Sequence, residues 1–532
     1  MEMQISPYLW VFVVVLAWYL IMGLWIRRYV KTLDDYYVMG RRAPWWLFGP
    51  SVIATWLSLW TFMGGFGLAW VWGWGHNPML WGGVCSPLGI LFLTHFIGIR
   101  LRRGGFLTIP DYMEARFGSR RMRLIATLIA VISIYFYLIG QIVGGGIILE
   151  MLAGVPYVVG VAVMTIILVC YLIGGGFWTV IVTDLVGFSL MMLGGFLTIA
   201  GCLQVFGGWD KILLAAEKAV PGQLTSVWLG GGPLWLFSYG LSWVAIAGAS
   251  AHIINRSLAV RSDKDVVLGG TIGLLVAMTM VTVIYTACQG LAVLYKKGTI
   301  GVDYVWIDFL VKYAPTWFAV IFIAAMVFAA LTTINGMIAT IGTAIGRDLY
   351  GKFIRPEAPA DKVLLWTRIG IIIAALAGLI LSIFRPWWIV IVTAFAGAIL
   401  AAGFFQTLYW SIFTDKLITE KGAFWTMAIG LPLSLIIIIG NHFWKWGAPA
   451  FPTLWTFIYG CIALPLFSAL TKKTEKEIEA WKKLKTIFER PLEEVRERVK
   501  PTITDWIVLI VFTVICVGIL AYLSYVFASL GF

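Results

Sequence analysis

Charged residues and histidines are scarce in this chain. Only 12% of its 532 residues are Asp, Glu, Lys or Arg, and only four are histidine. Soluble domains carry about twice that share of charge. Hydrophobic residues make up 61% of the chain and come in long runs, which excludes a soluble globular core and predicts an integral membrane protein. The net charge of +13 then indicates cytoplasmic loops and no nucleic-acid partner.

Cysteine is also rare, with six residues scattered mostly inside apolar runs. There is no CxxC motif and no Cys/His cluster, so neither a disulfide framework nor a cysteine-based metal site is expected. Paired carboxylates and nucleophile–base sets do not occur at membrane depth. The sequence therefore predicts neither an enzyme nor a bound cofactor, and it indicates no obligate protein partner.

Apolar runs of about 20 residues predict an all-α polytopic membrane protein with about 14 transmembrane helices. The first run lacks a basic leader and a cleavage site, so we expect a retained helix and not a signal peptide. The predicted spans are 8–26, 46–72, 79–99, 122–150, 156–174, 180–205, 233–254, 266–294, 316–346, 365–384, 387–413, 423–441, 452–470 and 504–530.

The loop charges support this assignment. With an outer N-terminus, the predicted inner loops hold 32 of the 39 Lys and Arg residues, and the outer loops hold 7. The positive-inside rule therefore predicts a multi-pass protein of the cell membrane with both termini extracellular. The inner segment 471–503, rich in Lys and Glu, is expected to form a solvated amphipathic helix against the inner face.

The ninth span, within Ile321–Tyr350, is an apolar helix with a short polar segment at its centre, residues 332–336, which we call the polar waist. Thr332 and Thr333 are followed by Asn335 and Gly336, and no charge occurs before Arg347. Two adjacent hydroxyls at this depth can face an ion or a neighbouring helix. Alternatively, each hydroxyl bonds a carbonyl one turn back in its own helix.

The second span and the seventh span share small residues and hydroxyls at their centres. Close packing through small residues is one explanation, and a broken helix whose free carbonyls bind a cation is another. If these spans begin equivalent repeats of five helices, the second repeat is inverted, as in many ion-coupled carriers. The predicted units are a peripheral helix within 1–30, repeat one at 46–205 (helices 2–6), repeat two at 233–413 (helices 7–11) and peripheral helices at 423–532.

A few further residues are site candidates by their position. Asp184 lies within a span, where a carboxylate is either functional or partly hydrated near the inner face. Tyr137 and Gln141 are four residues apart and share one helix face. Trp243 is central in the seventh span. We expect His252 to be a satisfied residue at a helix end.

Several motifs occur in the order typical of one family. These are DYYVMGRR at 35–42, TIPDYMEARFG at 108–118, IGQIVGGG at 139–146, GGFWT…TD at 175–184, LTT with RDLY at 331–350, and LYW…KGA at 408–423. Together they resemble the sodium:solute symporter family, which includes proline, pantothenate, sialic acid and sugar carriers. The resemblance implies a LeuT-like 5+5 inverted-repeat core in helices 2–11.

The resemblance also implies a sodium site between the second and ninth spans. A hard cation prefers oxygen ligands, and carbonyls and hydroxyls supply them. The implied ligands are the carbonyls of Ala54, Leu57 and Ala329 and the hydroxyls of Thr332 and Thr333, with Asp184 on the ion pathway. The expected solute-binding residues are Thr55, Trp56, Ser58, Trp60, Tyr137, Gln141 and Trp243.

The chain departs from its relatives at three places. Trp56 stands where the proline carriers have Asp. Asn335 and Gly336 stand where the two-sodium sialic acid carriers have hydroxyls, which favours one sodium. Ala245 to Gly248 replaces the YYWG of sugar carriers and argues against sugars.

We therefore expect a sodium-coupled symporter that imports a small organic solute across the lipid bilayer by alternating access. The solute is an amino acid such as proline, or a carboxylate such as pantothenate or a monocarboxylate. A proton-coupled carrier and a non-transporting membrane sensor are the alternatives.

Overall fold

The computed structural model describes residues 7–73, 82–226, 228–229, 232–385, 388–447 and 449–490. Apart from an isolated bridge between Ala43 and Val260, the regular structure of these residues is helical. Short 3₁₀ segments lie at Arg27–Tyr29, Met39–Arg41 and Cys288–Gly290, and π-helical segments at Trp60–Gly64, Leu93–Ile97 and Ala344–Ile354. The α-helices are α1 Pro7–Ile26, α2 Leu33–Val38, α3 Trp45–Leu59, α4 Gly65–Trp72, α5 Gly82–Phe92, α6 Gly98–Arg103, α7 Ile109–Phe117, α8 Arg120–Ala153, α9 Tyr157–Phe206, α10 Trp209–Ala219, α11 Pro233–Ala249, α12 Ala251–Leu258, α13 Asp263–Ala287, α14 Leu291–Leu294, α15 Val305–Lys312, α16 Thr316–Thr343, α17 Ala360–Ile383, α18 Ile389–Ala401, α19 Phe404–Phe413, α20 Glu420–Trp444, α21 Pro452–Ala469 and α22 Glu475–Phe488.

The described residues contain ten helices long and apolar enough to cross a membrane, or up to eleven if the bent pair α18–α19 is one span. The prediction of an all-helical, multi-pass membrane protein is confirmed, but the count of fourteen spans is not. The predicted span 504–530, together with 491–503 of the charged segment, lies outside the described residues.

One difference in the span count has a local cause. The predicted spans 156–174 and 180–205 form one 50-residue helix, α9, which bends at Gly176 with φ 51° and ψ −138°. At 1.5 Å per residue α9 is about 75 Å long, more than twice the hydrocarbon thickness, so the bend separates two segments. The predicted span 79–99 corresponds in part to α5, the π-helical segment Leu93–Ile97 and the start of α6, and residues 79–81 lie outside the described residues.

Helices α3 and α16 lie at the centre of the molecule. Nearly every side chain of α3 and of the second half of α16 is buried, because both helices are apolar or small on all faces. The outer helices α1, α17, α20 and α21 expose large hydrophobic side chains, as expected of surfaces that contact lipid. The polar waist of α16 is therefore enclosed by protein.

At the predicted inner face, two of the sequence motifs meet in an ion-pair network. Arg123 Nη2 lies 2.6 Å from Asp111 Oδ1, and Arg123 Nη1 lies 2.6 Å from Asp348 Oδ1. Arg347 Nη1 lies 2.6 Å from the other oxygen of Asp111. Although burial raises the pKa of Asp111, the guanidinium groups of Arg347 and Arg123 outweigh it and lower the pKa. The network ties α7 and α8 to the end of the ninth predicted span.

The amphipathic helix predicted within 471–503 corresponds in part to α22. Thr474 caps this helix through the Glu477 N–H, and the Glu477 carboxylate bonds the Thr474 N–H in return. Trp481, Leu484 and Phe488 form its buried face. Arg116 of α7 places its guanidinium 4.4 Å from the Trp481 ring centroid, so α22 is packed against the protein.

Candidate functional site

The second predicted span is broken at Ser58, which has φ 31° and ψ −176°. This backbone conformation interrupts the helical hydrogen bonds and leaves amides that need other partners. Gln141 Oε1 accepts the Leu59 N–H at 2.9 Å, and Ser58 Oγ accepts the Trp60 N–H at 3.1 Å. A π-helical segment, Trp60–Gly64, then leads into α4. The broken helix, one of the two explanations for its small residues, is present.

The polar waist of α16 faces the unbroken half of α3. Thr332 Oγ1 lies 3.2 Å from the Ala54 carbonyl oxygen and 3.3 Å from that of Ala329. Thr333 Oγ1 lies 3.0 Å from the carbonyl oxygens of both Thr55 and Ala329. Each hydroxyl therefore contacts a carbonyl one turn back in its own helix, which is one of the two predicted alternatives. Each hydroxyl also contacts a carbonyl of α3. Two hydroxyls and three carbonyl oxygens are gathered at one fully buried point.

Four of the five expected sodium ligands take part in these contacts, and Leu57 does not. Its carbonyl accepts a hydrogen bond from the Trp60 N–H. The Thr55 carbonyl, which is not among the ligands implied by the resemblance, accepts a hydrogen bond from Thr333 Oγ1 instead. Thr55 was expected to bind solute, and its own Oγ1 is buried without a partner. The backbone conformation at Ser58 sets which carbonyls of α3 face α16. A sequence motif alone does not predict that conformation.

Three of the four expected solute-binding aromatic residues form one cluster beside the break. The rings of Trp60 and Trp243 lie 4.5 Å apart, and those of Tyr137 and Trp243 lie 6.3 Å apart. Tyr137 OH is 3.1 Å from Ser58 Oγ and 3.4 Å from the Trp56 carbonyl oxygen. All five residues are buried. The cluster can pack a small apolar or cyclic solute body against aromatic faces.

The indole N–H groups of two expected solute-binding residues donate to side chains outside the predicted set. The Trp56 indole N–H donates to Ser86 Oγ, so this side chain is held by α5. The Trp60 indole N–H donates to Tyr239 OH at 3.1 Å. Gln141 does lie at the site, on the same helix face as Tyr137, and its side-chain nitrogen is buried without a partner.

Asp184 forms a buried ion pair with Arg256. Arg256 Nη2 lies 2.9 Å from Asp184 Oδ2, and neither side chain is exposed. Ser51 donates to the same oxygen, and Arg256 Nη2 also donates to the Thr332 carbonyl at 3.3 Å. The suggestion that Asp184 is partly hydrated near the inner face is therefore wrong. The pair lies against the backbone of the α16 waist.

Arg256 is not among the predicted site residues, because it follows the predicted span 233–254 and counts as a charge of an inner loop. That assignment is wrong, because the α12 segment that carries Arg256 is buried in the bundle. A second break, at Ser250 with φ −73° and ψ 126°, separates α11 from α12. The break lies in the seventh predicted span. A broken helix, one of the two explanations for the small residues of that span, is therefore present there as well. The pattern A-H-I-I-N-R, with His252 and Arg256 one turn apart, was the available signal.

Together, two broken helices meet beside an oxygen-rich waist inside an all-helical membrane protein. Discontinuous helices at a central polar site are typical of secondary transporters, and this is the class that the architecture defines. Residues 36–430 match the sodium:solute symporter family, and the chain belongs to it. The resemblance found in the motifs is thereby confirmed.

Relatives with different solutes match this chain at similar identity. It is 25% identical over 471 residues to the sodium/glucose cotransporter of Vibrio parahaemolyticus, covering 80% of this chain and 84% of that protein. It is 25% identical to the sodium/proline symporter of Escherichia coli, covering 88% and 94%, and 26% identical to that organism's sodium/pantothenate symporter, covering 79% and 88%. Overall similarity therefore does not single out one solute.

The fold is also similar to that of a solved Na⁺-coupled sialic acid symporter. The TM-score is 0.71 at 21% identity, and the match covers 88% of this chain and 99% of that one. At this identity the likeness concerns the fold alone.

Proposed function

We propose that this protein is a sodium-coupled symporter that imports a small organic solute by alternating access on a LeuT-like inverted-repeat core. The observation that carries the proposal is the contact of the Thr332 and Thr333 hydroxyls with the Ala54 and Thr55 carbonyls. These contacts join α16 to α3 directly below the break at Ser58. An ion bound at this point strengthens the junction between the two helices.

The proposed sodium ligands are the carbonyls of Ala54, Leu57 and Ala329 and the hydroxyls of Thr332 and Thr333. In the described geometry each hydroxyl has two carbonyl acceptors but only one hydrogen to donate. A sodium ion removes this competition, because carbonyl and hydroxyl oxygens can all direct lone pairs at it. The Leu57 carbonyl joins the set if the first residues of the break rotate when sodium binds.

A single sodium supplies enough energy for concentrative uptake. The membrane potential contributes about 2.3 kcal/mol per charge per 100 mV. Since about 1.4 kcal/mol corresponds to a tenfold ratio, one sodium ion supports roughly 50-fold accumulation before its own gradient is counted. Asn335 and Gly336, beside the waist, supply no hydroxyl for a second ion.

For the solute, we propose a small amino acid such as proline or a carboxylate such as pantothenate or a monocarboxylate. Trp60, Tyr137 and Trp243 offer aromatic faces, and Ser58 and Gln141 offer neutral polar groups. Sodium/proline and sodium/pantothenate symporters are among the relatives, which supports this class. Ala245 and Ala247 supply no polar group at two of the positions where sugar carriers have YYWG in the seventh span.

The main rival, proton coupling through Asp184, is disfavoured by Arg256. Protonation of the carboxylate would leave a buried guanidinium without its counter-charge, which costs several kcal/mol. A carboxylate that carries protons through a transport cycle needs periodic access to water. The ion pair instead supports a fixed, charged Asp184 next to the ion pathway.

Uptake into proteoliposomes tests the proposed function. Radiolabelled L-proline, pantothenate, lactate and glucose are compared at fixed pH with sodium or choline outside. We expect uptake of at least one of the three carboxylate-bearing solutes, driven by sodium and increased by an inside-negative potential. Full uptake in choline with a proton gradient would support the proton-coupled rival, and sodium-driven uptake of glucose alone would contradict the proposed solute class.

A further inference from the structure

His252 has one ring nitrogen that the protein leaves unsatisfied. Its side chain is fully buried, and Nδ1 lies 2.8 Å from Ser250 Oγ. Nε2 is buried without a hydrogen-bond partner. A buried polar atom without a partner destabilises the fold, so native proteins retain one where a ligand or a water completes its hydrogen bonding. When the Ser250 hydroxyl donates to Nδ1, Nε2 carries the hydrogen and is a free donor.

The position of His252 places this donor at the solute cluster. The imidazole packs edge-to-face on Tyr137, with ring centroids 5.5 Å apart. Trp243 contacts the same tyrosine ring from an earlier point on α11. Trp243 and His252 therefore both contact Tyr137, from consecutive helices of the same predicted span. In the orientation predicted from the loop charges, His252 is on the inner side.

The backbone at this point favours an anion. His252 lies in the first turn of α12, directly after the break at Ser250. The N-terminus of a helix carries a partial positive charge, and side chains in a helix tilt toward that end. The imidazole is therefore directed toward the end of the helix at which a negative group is stabilised.

The other polar groups beside Tyr137 are also donors. Gln141 Oε1 is occupied by the Leu59 N–H, so the two hydrogens of its unpartnered amide nitrogen are free. Among the described residues, the polar and aromatic side chains found in contact with Tyr137 are Ser58, Trp243 and His252, and none is acidic. Asp184 binds Arg256 and Ser51 through Oδ2, its Oδ1 is buried without a partner, and it is not among the side chains in contact with Tyr137. Free donors without a facing carboxylate suit a solute rich in acceptors.

We propose that His252 is a solute-binding residue whose Nε2–H receives the carboxylate of the transported solute at the N-terminus of α12. The body of the solute packs against Tyr137 and Trp243, and the Gln141 amide meets its other end. This inference rests on the proposed function and deepens it, because it states which chemical group of the solute is recognised. The proposed solute site is also connected to the proposed sodium site, since Arg256 donates both to the His252 carbonyl and to the Thr332 carbonyl.

Substitutions at His252 test the proposal in the same proteoliposomes. With radiolabelled L-proline, lactate and pantothenate as probes, His252→Ala is expected to raise KM roughly 10- to 100-fold, the loss typical of a hydrogen bond to a charged group. The half-saturating sodium concentration should change less than twofold. His252→Gln, which restores an N–H donor, should recover part of the lost affinity.

His95→Gln is the matched control. Both ring nitrogens of His95 already have partners, Nδ1 at the Leu91 carbonyl and Nε2 at Thr271 Oγ1. This variant should therefore leave the solute KM unchanged. An unchanged KM in His252→Ala, with sodium-driven uptake intact, would overturn the role of His252 and leave the proposed function standing. Uptake by the wild-type protein that does not depend on sodium would instead contradict the proposed function.

Competition on the wild-type protein tests the carboxylate assignment without any substitution. Prolinamide and lactamide carry a neutral amide in place of the carboxylate. We expect each to inhibit uptake at least tenfold more weakly than proline and lactate, respectively. Equal inhibition by an acid and its amide would overturn the assignment even if every His252 variant failed to fold.

Discussion

The guanidinium of Arg256 lies 2.9 Å from the carboxylate of Asp184, and both side chains are fully buried. The same guanidinium contacts the backbone of α12 at His252 and that of α16 at Thr332. One charged side chain therefore holds together the proposed sodium site, the proposed solute site and the helix that carries Asp184. A buried pair of this kind is costly to break, which makes its role measurable.

Breaking this pair should destabilise the protein strongly. Asp184→Asn and Arg256→Gln should each lower the free energy of unfolding by about 3–5 kcal/mol, because each leaves a buried charge unpaired. The double variant should recover part of the loss. Thermal denaturation in detergent measures this, with Arg385→Gln as the control. Arg385 pairs with Glu150 at 2.8 Å, but both are about one-third exposed, so that pair is expected to contribute no more than about 1 kcal/mol. Similar losses in all single variants would contradict the prediction.

Gly336 leaves the space that the guanidinium occupies. A Cβ at this position would lie 2.7 Å from both terminal nitrogens of Arg256. Gly336→Ala should therefore displace Arg256 and reduce thermal stability in the same direction as Arg256→Gln. In the Arg256→Gln background the alanine should cost much less, because the shorter side chain leaves room. Additive losses in the double variant would show that the two residues do not share this space.

Loss of the waist hydroxyls should weaken sodium binding. In Thr332→Ala combined with Thr333→Ala, we expect the half-saturating sodium concentration for uptake to rise at least about tenfold, since two of five oxygen ligands are removed. Thr343→Ala is the matched control. Thr343 lies on the same helix, and its hydroxyl bonds the Ala339 carbonyl at 2.8 Å. An unchanged sodium dependence in the double variant would exclude the proposed site.

The bend of α9 should depend on Gly176. Its φ of 51° with ψ −138° is strained for residues with a side chain, and a Cβ would lie 2.6 Å from the Tyr36 carbonyl oxygen. Gly176→Ala should therefore reduce folded yield and thermal stability. Gly154→Ala controls for positive φ alone, because Gly154 has φ 62° but open space around its Cβ position. Equal effects of the two substitutions would mean that the contact with Tyr36 is unimportant.

Asp303 should make stability depend on pH. Burial raises the pKa of this carboxyl group to about 7, although the Ile389 N–H bonds its Oδ2 at 3.1 Å and opposes the shift. The folded protein therefore binds the carboxyl proton of Asp303 more tightly than the unfolded chain does. The associated stability is therefore complete below pH about 4 and is lost as the pH rises through about 7. Nearby Tyr304 contacts Glu150 and Arg385, which remain in place in the variant.

Asp303→Asn removes this proton linkage and keeps an oxygen for the Ile389 N–H. We expect its melting temperature to fall less than that of the wild-type protein between pH 5 and pH 8. Asp210→Asn, at an exposed position in the first turn of α10, should leave the pH dependence unchanged. Parallel pH profiles for the wild-type protein and Asp303→Asn would contradict the assignment.

The sequence alone determined the class of this protein. Long apolar runs can cross a bilayer only as helices, because lipid cannot satisfy free backbone groups, and this fixed the all-helical architecture. The ordered motifs predicted the family. The small residues and hydroxyls of the second, seventh and ninth spans marked the helices that meet at the centre, since side chains this small are needed where helices pack closely.

Only the tertiary structure decided the details of the site. Arg256 was counted as a loop charge, because the positive-inside rule cannot tell a solvated arginine from one buried against a carboxylate 72 residues away. The carbonyl of Thr55, and not that of Leu57, contacts the hydroxyls of α16, because the backbone conformation at Ser58 sets which carbonyls face that helix. The free nitrogen of His252 likewise depends on the break at Ser250 and on Tyr137 of another helix. Motifs and spacing report which residues share a helix face, whereas contacts between distant segments depend on how the broken helices pack.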